Sequence, residues 1–233
     1  MRDRAPSPPE SAEVSAPASV GPGLRGYLVT PPGAGPHPGV VIIHEVFGLN
    51  DQIRGVARRI AAEGYAALAV DLFSGRNRAL CMARILGSAA VGRDSYGVRD
   101  LAAALDFLVS QPEVDADQVG AIGFCMGGGL AIAWARRERR LRAIAPFYAT
   151  NPRPLRALRR LCPVVASYPG EDFTARSGRK LELRLEKLRV THDIKIYPGA
   201  KHSFFNEERR SHDPLASADA WERTLEFFAT HVR

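Results

Sequence analysis

A Gly-x-Cys-x-Gly pentapeptide at residues 123–127 constrains the fold of this chain more than any other stretch. An apolar run over residues 119–122 leads into it, and alanine-rich, helix-favouring sequence follows over residues 130–137. Between a strand and a helix such a pentapeptide forms a nucleophile elbow, and its glycines leave room where the strand turns into the helix. The pattern predicts a strained Cys125, exposed at a helix N-terminus where amide N–H groups favour negative charge. It is also compatible with a buried structural cysteine in a tight turn, so the rest of the chain has to decide.

Length and composition predict one α/β domain behind a short tail. The chain has 233 residues, of which 45% are hydrophobic, and this is enough for a sizeable core. Residues 1–22 are rich in Pro, Ser and Ala and can bury little, so we expect a disordered tail there. The single domain is expected to occupy residues 23–233.

The charge pattern does not predict a nucleic-acid surface. The net charge is +7, and its densest basic run covers residues 136–142, where the helix after the elbow is expected to end. Cations are favoured at helix C-termini, and no aromatic residues are interleaved in the run. We therefore expect a solvated helix terminus and no nucleic-acid partner.

The cysteines and the apolar stretches indicate a soluble protein of a reducing compartment. Cys81, Cys125 and Cys162 form an odd set without the spacing of a disulfide framework. The N-terminal segment lacks the apolar core of a signal peptide, and no apolar run approaches the roughly 18 residues of a membrane span. We expect a cytoplasmic protein without a membrane partner, either a monomer or a weak homodimer.

Strand and helix patterns alternate along the chain, which predicts an α/β fold with a mostly parallel sheet and helices on both faces. Strands are expected at residues 24–30, 40–43, 65–70, 142–148, 164–168 and 193–197, in addition to the strand before Cys125. Apolar residues at helical spacing predict a helix from Asp51 to Gly64 and further helices around residues 98–108 and 181–188. Residues 74–95 are weakly patterned and predict no element.

The final helix is predicted to begin at the Asp213-Pro214 pair, with the aspartate as cap and the proline in the first turn. Its expected core face consists of Ala218, Trp221, Leu225 and Phe228.

Four chemically active residues follow predicted strands. Glu45 follows the strand at 40–43, Cys125 ends the elbow strand, and Asp172 and His202 follow the next strands in turn. Parallel strands bring their carboxyl ends to one edge of the sheet, where active sites of open α/β folds lie. The order nucleophile, acid, histidine is the order used by hydrolases of this architecture.

This order assigns a role to each side chain. His202 accepts the proton of Cys125 and later returns it to a leaving group, while Asp172 accepts the other imidazole N–H. The amides of Met126 and Val46 are the expected donors of an oxyanion hole.

Each of these residues also has an ordinary structural interpretation. Asp172 is compatible with a turn cap, and its neighbour Glu171 is an alternative acid. A lone histidine such as His202 is more often a surface or core residue, which is how we interpret His44, together with His192 and His231. The four candidates, in order and all at strand ends, favour catalysis.

At this point the chain resembles a known family. The matching stretches are Gly-Phe-Cys-Met-Gly-Gly at 123–128, His-Glu-Val-Phe-Gly-Leu-Asn at 44–50, Asp-Leu-Phe at 71–73 and Gly-Ala-Lys-His-Ser-Phe at 199–204. They resemble the dienelactone hydrolases, or carboxymethylenebutenolidases, of the α/β-hydrolase superfamily, from about residue 24 to the C-terminus.

The resemblance implies a triad of Cys125, His202 and Asp172, with Glu45 helping to generate the thiolate when substrate binds. The implied reaction is hydrolysis of the enol-lactone ring of dienelactone through an acyl-cysteine, without a metal or cofactor. A small-molecule lactone or ester is therefore the expected substrate.

The chain departs from the family at the arginines that hold the substrate carboxylate. Arg76 is displaced by one position from the expected place, and Asn206 occupies the place four residues after the histidine. Arg209 and Arg210 lie further on and are compatible with surface charges. We assign Arg76, Asn206, Ser203 and Tyr148 as candidate substrate-binding residues.

Two other functions stay open. The same triad could act on another small ester or thioester, and a non-enzymatic protein could use Cys125 for redox sensing. Redox sensing requires none of the other three candidates, so their presence counts against it.

Overall fold

The computed structural model describes residues 10–16, 23–91, 96–152, 155–158 and 160–233. The strands are β1 (Glu10–Ala16), β2 (Leu24–Thr30), β3 (His37–Ile43), β4 (Ala66–Asp71), β5 (Val114–Phe124), β6 (Leu141–Phe147), β7 (Val164–Pro169) and β8 (His192–Tyr197). The α-helices are α1 (Asp51–Ala62), α2 (Arg78–Val91), α3 (Tyr96–Val109), α4 (Met126–Ala135), α5 (Thr174–Leu188) and α6 (Pro214–His231), and a short 3-10 helix covers Leu155–Leu158.

The eight strands form one sheet in the order β1-β2-β4-β3-β5-β6-β7-β8. The pairs β1/β2 and β2/β4 are antiparallel, and every pair from β4/β3 to β7/β8 is parallel. Parallel neighbours need crossover connections, and the helices supply them. The predicted α/β-hydrolase architecture, a mostly parallel sheet flanked by helices, is confirmed.

Both faces of the sheet are covered. Alternate residues of β3 belong to two separate hydrophobic clusters, with Val41 and Ile43 in one and Val40 and Ile42 in the other. The first cluster includes apolar residues of α2, α3, α4 and α5, and the second includes those of α1 and α6. Because side chains alternate across a strand, these helices lie on opposite faces, which explains the continuous apolar run of β3.

Most predicted helix starts are confirmed, with one shift in the cap. Asp213 caps α6 by accepting from the amides of Leu215 and Ala216, and Pro214 occupies the first turn. The cap of α1 is Asn50, whose side chain accepts from the amide of Ile53, and Asp51 is the first helical residue. Asn and Asp cap equally well, so composition alone does not separate two adjacent candidates.

Strand β1 contradicts part of the predicted disordered tail. Its residues pair with the whole length of β2, from the pair Glu10 and Thr30 to the pair Ala16 and Leu24. Main-chain hydrogen bonds to an edge strand satisfy the backbone whatever the side chains are, so composition gives no sign of the pairing. The other residues of the predicted tail lie outside the described residues.

Helix α2 was missed by the sequence patterns. It lies in the weakly patterned stretch, and Cys81 and Ile85 mark its buried side, one helical turn apart. Asn77 accepts from the amide of Leu80 before the helix, which satisfies one of its first N–H groups.

The buried face of α6 is rotated relative to the face predicted from the sequence. The buried residues are Ala216, Ala220, Thr224 and Phe228, with Ser217 beside them. Ala218 is exposed, and Trp221 and Leu225 are only partly buried. The buried face consists mainly of small residues, which hydrophobicity alone does not identify.

Among the described residues, no helix has the length and apolar character needed to span a membrane.

Candidate active site

The pentapeptide forms the predicted turn between β5 and α4. Cys125 has φ 54° and ψ −112°, a left-handed conformation that is uncommon outside glycine, and Met126 directly begins the helix. Gly129 donates its amide to the Cys125 carbonyl at 3.1 Å, and the Cys125 amide donates to Phe147 at 3.0 Å. Bonds on both sides therefore hold the strained residue in place.

The two glycines of the pentapeptide are required by close backbone contacts. A Cβ atom on Gly123 would overlap the carbonyl of Gly127, and one on Gly127 would overlap the carbonyls of Ile43 and His44. The second overlap shows that the helix N-terminus lies directly against the end of β3. This approach brings the loop of Glu45 to the cysteine.

Cys125, His202 and Asp172 form one hydrogen-bonded chain. His202 Nε2 lies 3.2 Å from Cys125 Sγ, and His202 Nδ1 lies 2.7 Å from Asp172 Oδ2. Burial opposes ionisation of Asp172, but hydrogen bonds from His202 and Thr174 lower its pKa below the usual value. The carboxylate can therefore hold the imidazole in the Nδ1–H tautomer.

The loops that carry the acid and the histidine are tied to each other. Gly170 donates its amide to the carbonyl of Tyr197 at 2.7 Å, and Glu171 donates to the carbonyl of Ala200 at 3.0 Å. Glu171, the alternative acid, is exposed and uses its amide in this tie. The hydrogen-bonded acid is therefore Asp172.

Glu45 is buried beside the cysteine and is held by two side chains. Ser203 Oγ donates to Oε1 at 2.8 Å, and Asn206 Nδ2 donates to Oε2 at 2.7 Å. The side-chain amide of Asn206 is thus bonded to Glu45, because a buried carboxylate needs donors. The assignment of Asn206 and Tyr148 to the substrate stays a prediction.

The cysteine rests as a thiol. Burial, and then the negative charge of Glu45, raise the pKa of Cys125 to about 11, while the amide of Met126 opposes this shift. At neutral pH a proton must leave Sγ before it becomes a strong nucleophile, and His202 is in contact to accept it.

A cavity of about 160 Å³ opens onto the cysteine. Its lining residues are Glu45, Val46, Phe47, Cys125, His202, Ser203, Arg209 and Ser211. Ser203 is the one predicted substrate-binding residue that lines this cavity. The sequence analysis did not assign Phe47, Arg209 and Ser211 to the site, although Arg209 lies only seven positions after His202 in the sequence.

Arg76 is not among the residues that line this cavity, and its assignment to the substrate stays a prediction. Its Nη2 donates to Asp100 Oδ2 at 2.9 Å and to the carbonyl of Leu72 at 3.4 Å, and its Nε donates to the carbonyl of Phe73. Both partners of the ion pair are largely buried, with side chains 13% and 8% exposed. The guanidinium holds the loop after β4 against α3.

The arginine that does line the cavity is Arg209. Its guanidinium lies 5.0 Å from the ring centroid of Phe47, another lining residue. The side chain is exposed, and within the described part of the chain no carboxylate forms an ion pair with it.

The described residues contain no group of three or more His, Cys, Asp and Glu side chains that could hold a metal ion.

Known proteins resemble this chain in sequence and in fold. The family model described as the dienelactone hydrolase family matches residues 24–232. A protein of Saccharolobus solfataricus named "Putative carboxymethylenebutenolidase" is 32% identical over 244 residues, covering 88% of this chain and 93% of that protein.

Two solved structures share the fold over nearly the whole chain. A dienelactone hydrolase-like structure from Klebsiella pneumoniae is 26% identical with a TM-score of 0.84, and covers 96% of this chain and 99% of its own. A dienelactone hydrolase-like promiscuous phosphotriesterase from metagenomic libraries is 27% identical with a TM-score of 0.85, and covers 97% and 100%.

Proposed function

This chain belongs to the dienelactone hydrolase family, and we propose that it hydrolyses a small lactone or ester with Cys125 as nucleophile. The observation that carries the proposal is the unbroken contact from Asp172 through His202 to Cys125 Sγ at the floor of a small cavity. A carboxylate, an imidazole and a thiol in this order are the three parts that acyl transfer needs.

The first half of the reaction forms an acyl-cysteine. His202 Nε2 takes the thiol proton as Sγ attacks the substrate carbonyl, and the carbonyl oxygen becomes an oxyanion. The amides of Met126 and Val46 donate to this oxyanion in the proposed site. When the tetrahedral intermediate collapses, the bond to the leaving oxygen breaks and His202 returns its proton to that oxygen.

The second half releases the acid. His202 Nε2 removes a proton from water, the hydroxyl attacks the thioester carbonyl, and the bond to Sγ breaks. The thiolate recovers a proton, and the product is a carboxylic acid. Asp172 stabilises the imidazolium in both halves through its bond to Nδ1.

Glu45 has a separate role in this proposal. Burial and, after it, the charge of Glu45 keep the free cysteine protonated, so the nucleophile is protected until substrate fills the cavity. We assign the generation of the thiolate on substrate binding to Glu45 and His202 together. The two donors to Glu45, Ser203 and Asn206, keep its carboxylate in one place during the cycle.

The proposed substrate is small, because the cavity measures about 160 Å³. Carboxymethylenebutenolidase activity, the opening of dienelactone, is the proposed reaction, and another small ester or thioester is the alternative. A redox-sensing function is less favoured, since sensor cysteines have lowered pKa values and this thiol has a raised one. We further propose a cytoplasmic monomer or weak homodimer acting without cofactor.

The test is a substrate panel on matched cysteine variants. Dienelactone, a neutral aryl ester and an alkyl thioester are assayed with the wild type, Cys125→Ala and Cys162→Ala. We expect turnover of at least one substrate, abolished in Cys125→Ala and retained in Cys162→Ala. Undiminished turnover in Cys125→Ala would refute the proposed nucleophile, and no turnover of any ester by the folded wild type would refute the function.

A further inference from the structure

We propose that His44 is a positioning residue, which orients the Val46 amide and so completes the oxyanion hole. The inference rests on the proposed function, since it assigns a role within that same reaction. His44 is fully buried and touches neither the thiol nor the cavity. It acts through the peptide bond between Glu45 and Val46.

The backbone around His44 fixes its tautomer. The amide of Leu72 donates to His44 Nε2 at 3.1 Å, so this nitrogen carries no proton. The proton of the neutral ring must then lie on Nδ1, which is 2.5 Å from the carbonyl oxygen of Glu45 and donates to it. Burial lowers the pKa of His44, which keeps the ring in this neutral form.

The geometry of the peptide bond carries the effect to the next residue. The Glu45 carbonyl and the Val46 N–H belong to one planar trans unit, so they point in opposite directions. His44 holds the carbonyl on its own side, and the Gly48 amide donates to the same oxygen at 3.3 Å. The Val46 N–H is thereby turned away from His44.

On the opposite side the proposal places the cavity. Val46 lines it together with Cys125, and the Val46 N–H meets no acceptor among the described residues. This donor is therefore held ready for an oxygen that enters with the substrate.

A charge role for His44 does not fit the same contacts. Asp71 Oδ1 lies 4.0 Å from Nε2, but that nitrogen already accepts from Leu72 and that oxygen accepts from Phe73 at 3.0 Å. The Phe73 ring packs at 4.9 Å from the imidazole and covers it. The function that remains for Nδ1–H is to hold the Glu45 carbonyl.

Two substitutions separate the two ring nitrogens. In His44→Asn the amide nitrogen replaces Nδ1 and keeps the donor to Glu45, while the acceptor for Leu72 is lost. In His44→Gln the terminal oxygen replaces Nε2 and keeps the acceptor, while the donor to Glu45 is lost. Far-ultraviolet circular dichroism and thermal unfolding establish that both variants fold.

We expect kcat for the ester to fall roughly 100- to 1,000-fold in His44→Gln, the usual loss for one oxyanion donor, with KM within a few-fold of wild type. His44→Asn should stay within about tenfold of wild-type kcat. Alkylation of Cys125 by iodoacetamide, which forms no oxyanion, should proceed at the wild-type rate in both. Unchanged kcat in His44→Gln, equal losses in both variants, or alkylation falling in parallel with kcat would each overturn the proposal.

A second measurement is made on the wild type and uses a variant only to assign its signals. Long-range proton–nitrogen spectra of ¹⁵N-histidine-labelled wild type, with His44 assigned by comparison with His44→Asn, should show the Nδ1–H tautomer at pH 7. An Nε2–H tautomer would overturn the proposal even if His44→Gln failed to fold. Failure of the underlying function is distinguishable, because it appears as turnover that survives Cys125→Ala in an otherwise unaltered chain.

Discussion

At the scale of single residues, the unusual feature of Cys125 is that its surroundings favour the protonated thiol over the thiolate. Burial and the Glu45 carboxylate raise the pKa of Cys125 to about 11, above the ordinary value of 9.0. We expect Glu45→Gln to lower this pKa, since it removes a neighbouring negative charge while both amide and carboxylate oxygens can accept from Ser203. Alkylation by iodoacetamide at pH 8 should then be several-fold faster than in wild type.

Turnover of ester should move in the opposite direction in Glu45→Gln, because the proposed reaction uses the carboxylate. The fold-decrease in kcat should be larger than any fold-change in KM. Glu171→Gln is the matched control, since its carboxylate is exposed and the structure places it outside the hydrogen-bonded chain. Slower alkylation in Glu45→Gln, or turnover equal to wild type at every pH, would contradict the role assigned to its charge.

The second residue-scale prediction concerns substrate charge and the two arginines. Arg209→Ala should raise KM for dienelactone, which carries a carboxylate, by roughly tenfold or more, because a charge-assisted hydrogen bond contributes about 1.5–3 kcal/mol. A neutral aryl ester should be nearly unaffected. Equal effects on both substrates would exclude Arg209 from carboxylate binding.

Arg76→Ala is the contrasting variant. It leaves Asp100 buried without its partner, so the free energy of unfolding should fall by about 3 kcal/mol. Chemical denaturation measures this loss, and the KM of the remaining folded enzyme for anionic and neutral substrates should change equally. A selective rise in KM for the anionic substrate would instead support Arg76 as a substrate-binding residue.

At the scale of elements, the junction of β5 and α4 depends on two glycines, because glycine has no Cβ atom. Gly127→Ala places a Cβ atom against the carbonyls of Ile43 and His44, so β3 and α4 must separate. We expect about 1–3 kcal/mol of destabilisation in urea and a large loss of turnover. A variant of wild-type stability would show that the junction is looser than these contacts indicate.

Gly55→Ala is the control for the same chemical change. It lies inside α1, and the nearest atom to its added Cβ is the end of the flexible Arg58 side chain at 3.9 Å. Alanine is the better helix former by about 1 kcal/mol, so this variant should be more stable than wild type. The opposite signs of the two substitutions test the packing argument directly.

The elements that sequence patterns predicted are those whose signal is local. β3, β7 and the helix starts at Asp51 and Pro214 carry apolar runs or caps, and the triad order follows from one pentapeptide and two strand ends. α2 lies in a weakly patterned stretch, and the pairing of β1 with β2 consists of main-chain contacts that composition does not indicate, so neither element was predicted. The partners of Glu45 lie about 160 positions away along the chain, and no local pattern announces such contacts.

At the scale of the whole molecule, the site depends on the loops that follow four strands of the same sheet. Loops after β3, β5, β7 and β8 supply Glu45, Cys125, Asp172 and His202, and one buried histidine, His44, connects the end of β3 to the end of β4. Burial of that imidazole lowers its pKa below the ordinary 6.5, despite the opposing influence of the nearby Asp71 charge. Folding is therefore coupled to the protonation of a group that the reaction does not use directly.

This coupling predicts how stability depends on pH. In the unfolded chain His44 binds a proton near its ordinary pKa of 6.5, whereas the folded protein resists protonation until lower pH. The unfolded state thus binds more protons below pH 6.5, so the stability present above that pH is lost as pH falls towards the folded pKa. We expect the free energy of unfolding in urea to decrease from pH 7.5 to pH 5.5 in wild type and to decrease less in His44→Asn, which cannot titrate. The gap between the two proteins should therefore narrow as the solution is acidified, and parallel pH profiles would show that the folded protein accepts a charged imidazole at this position.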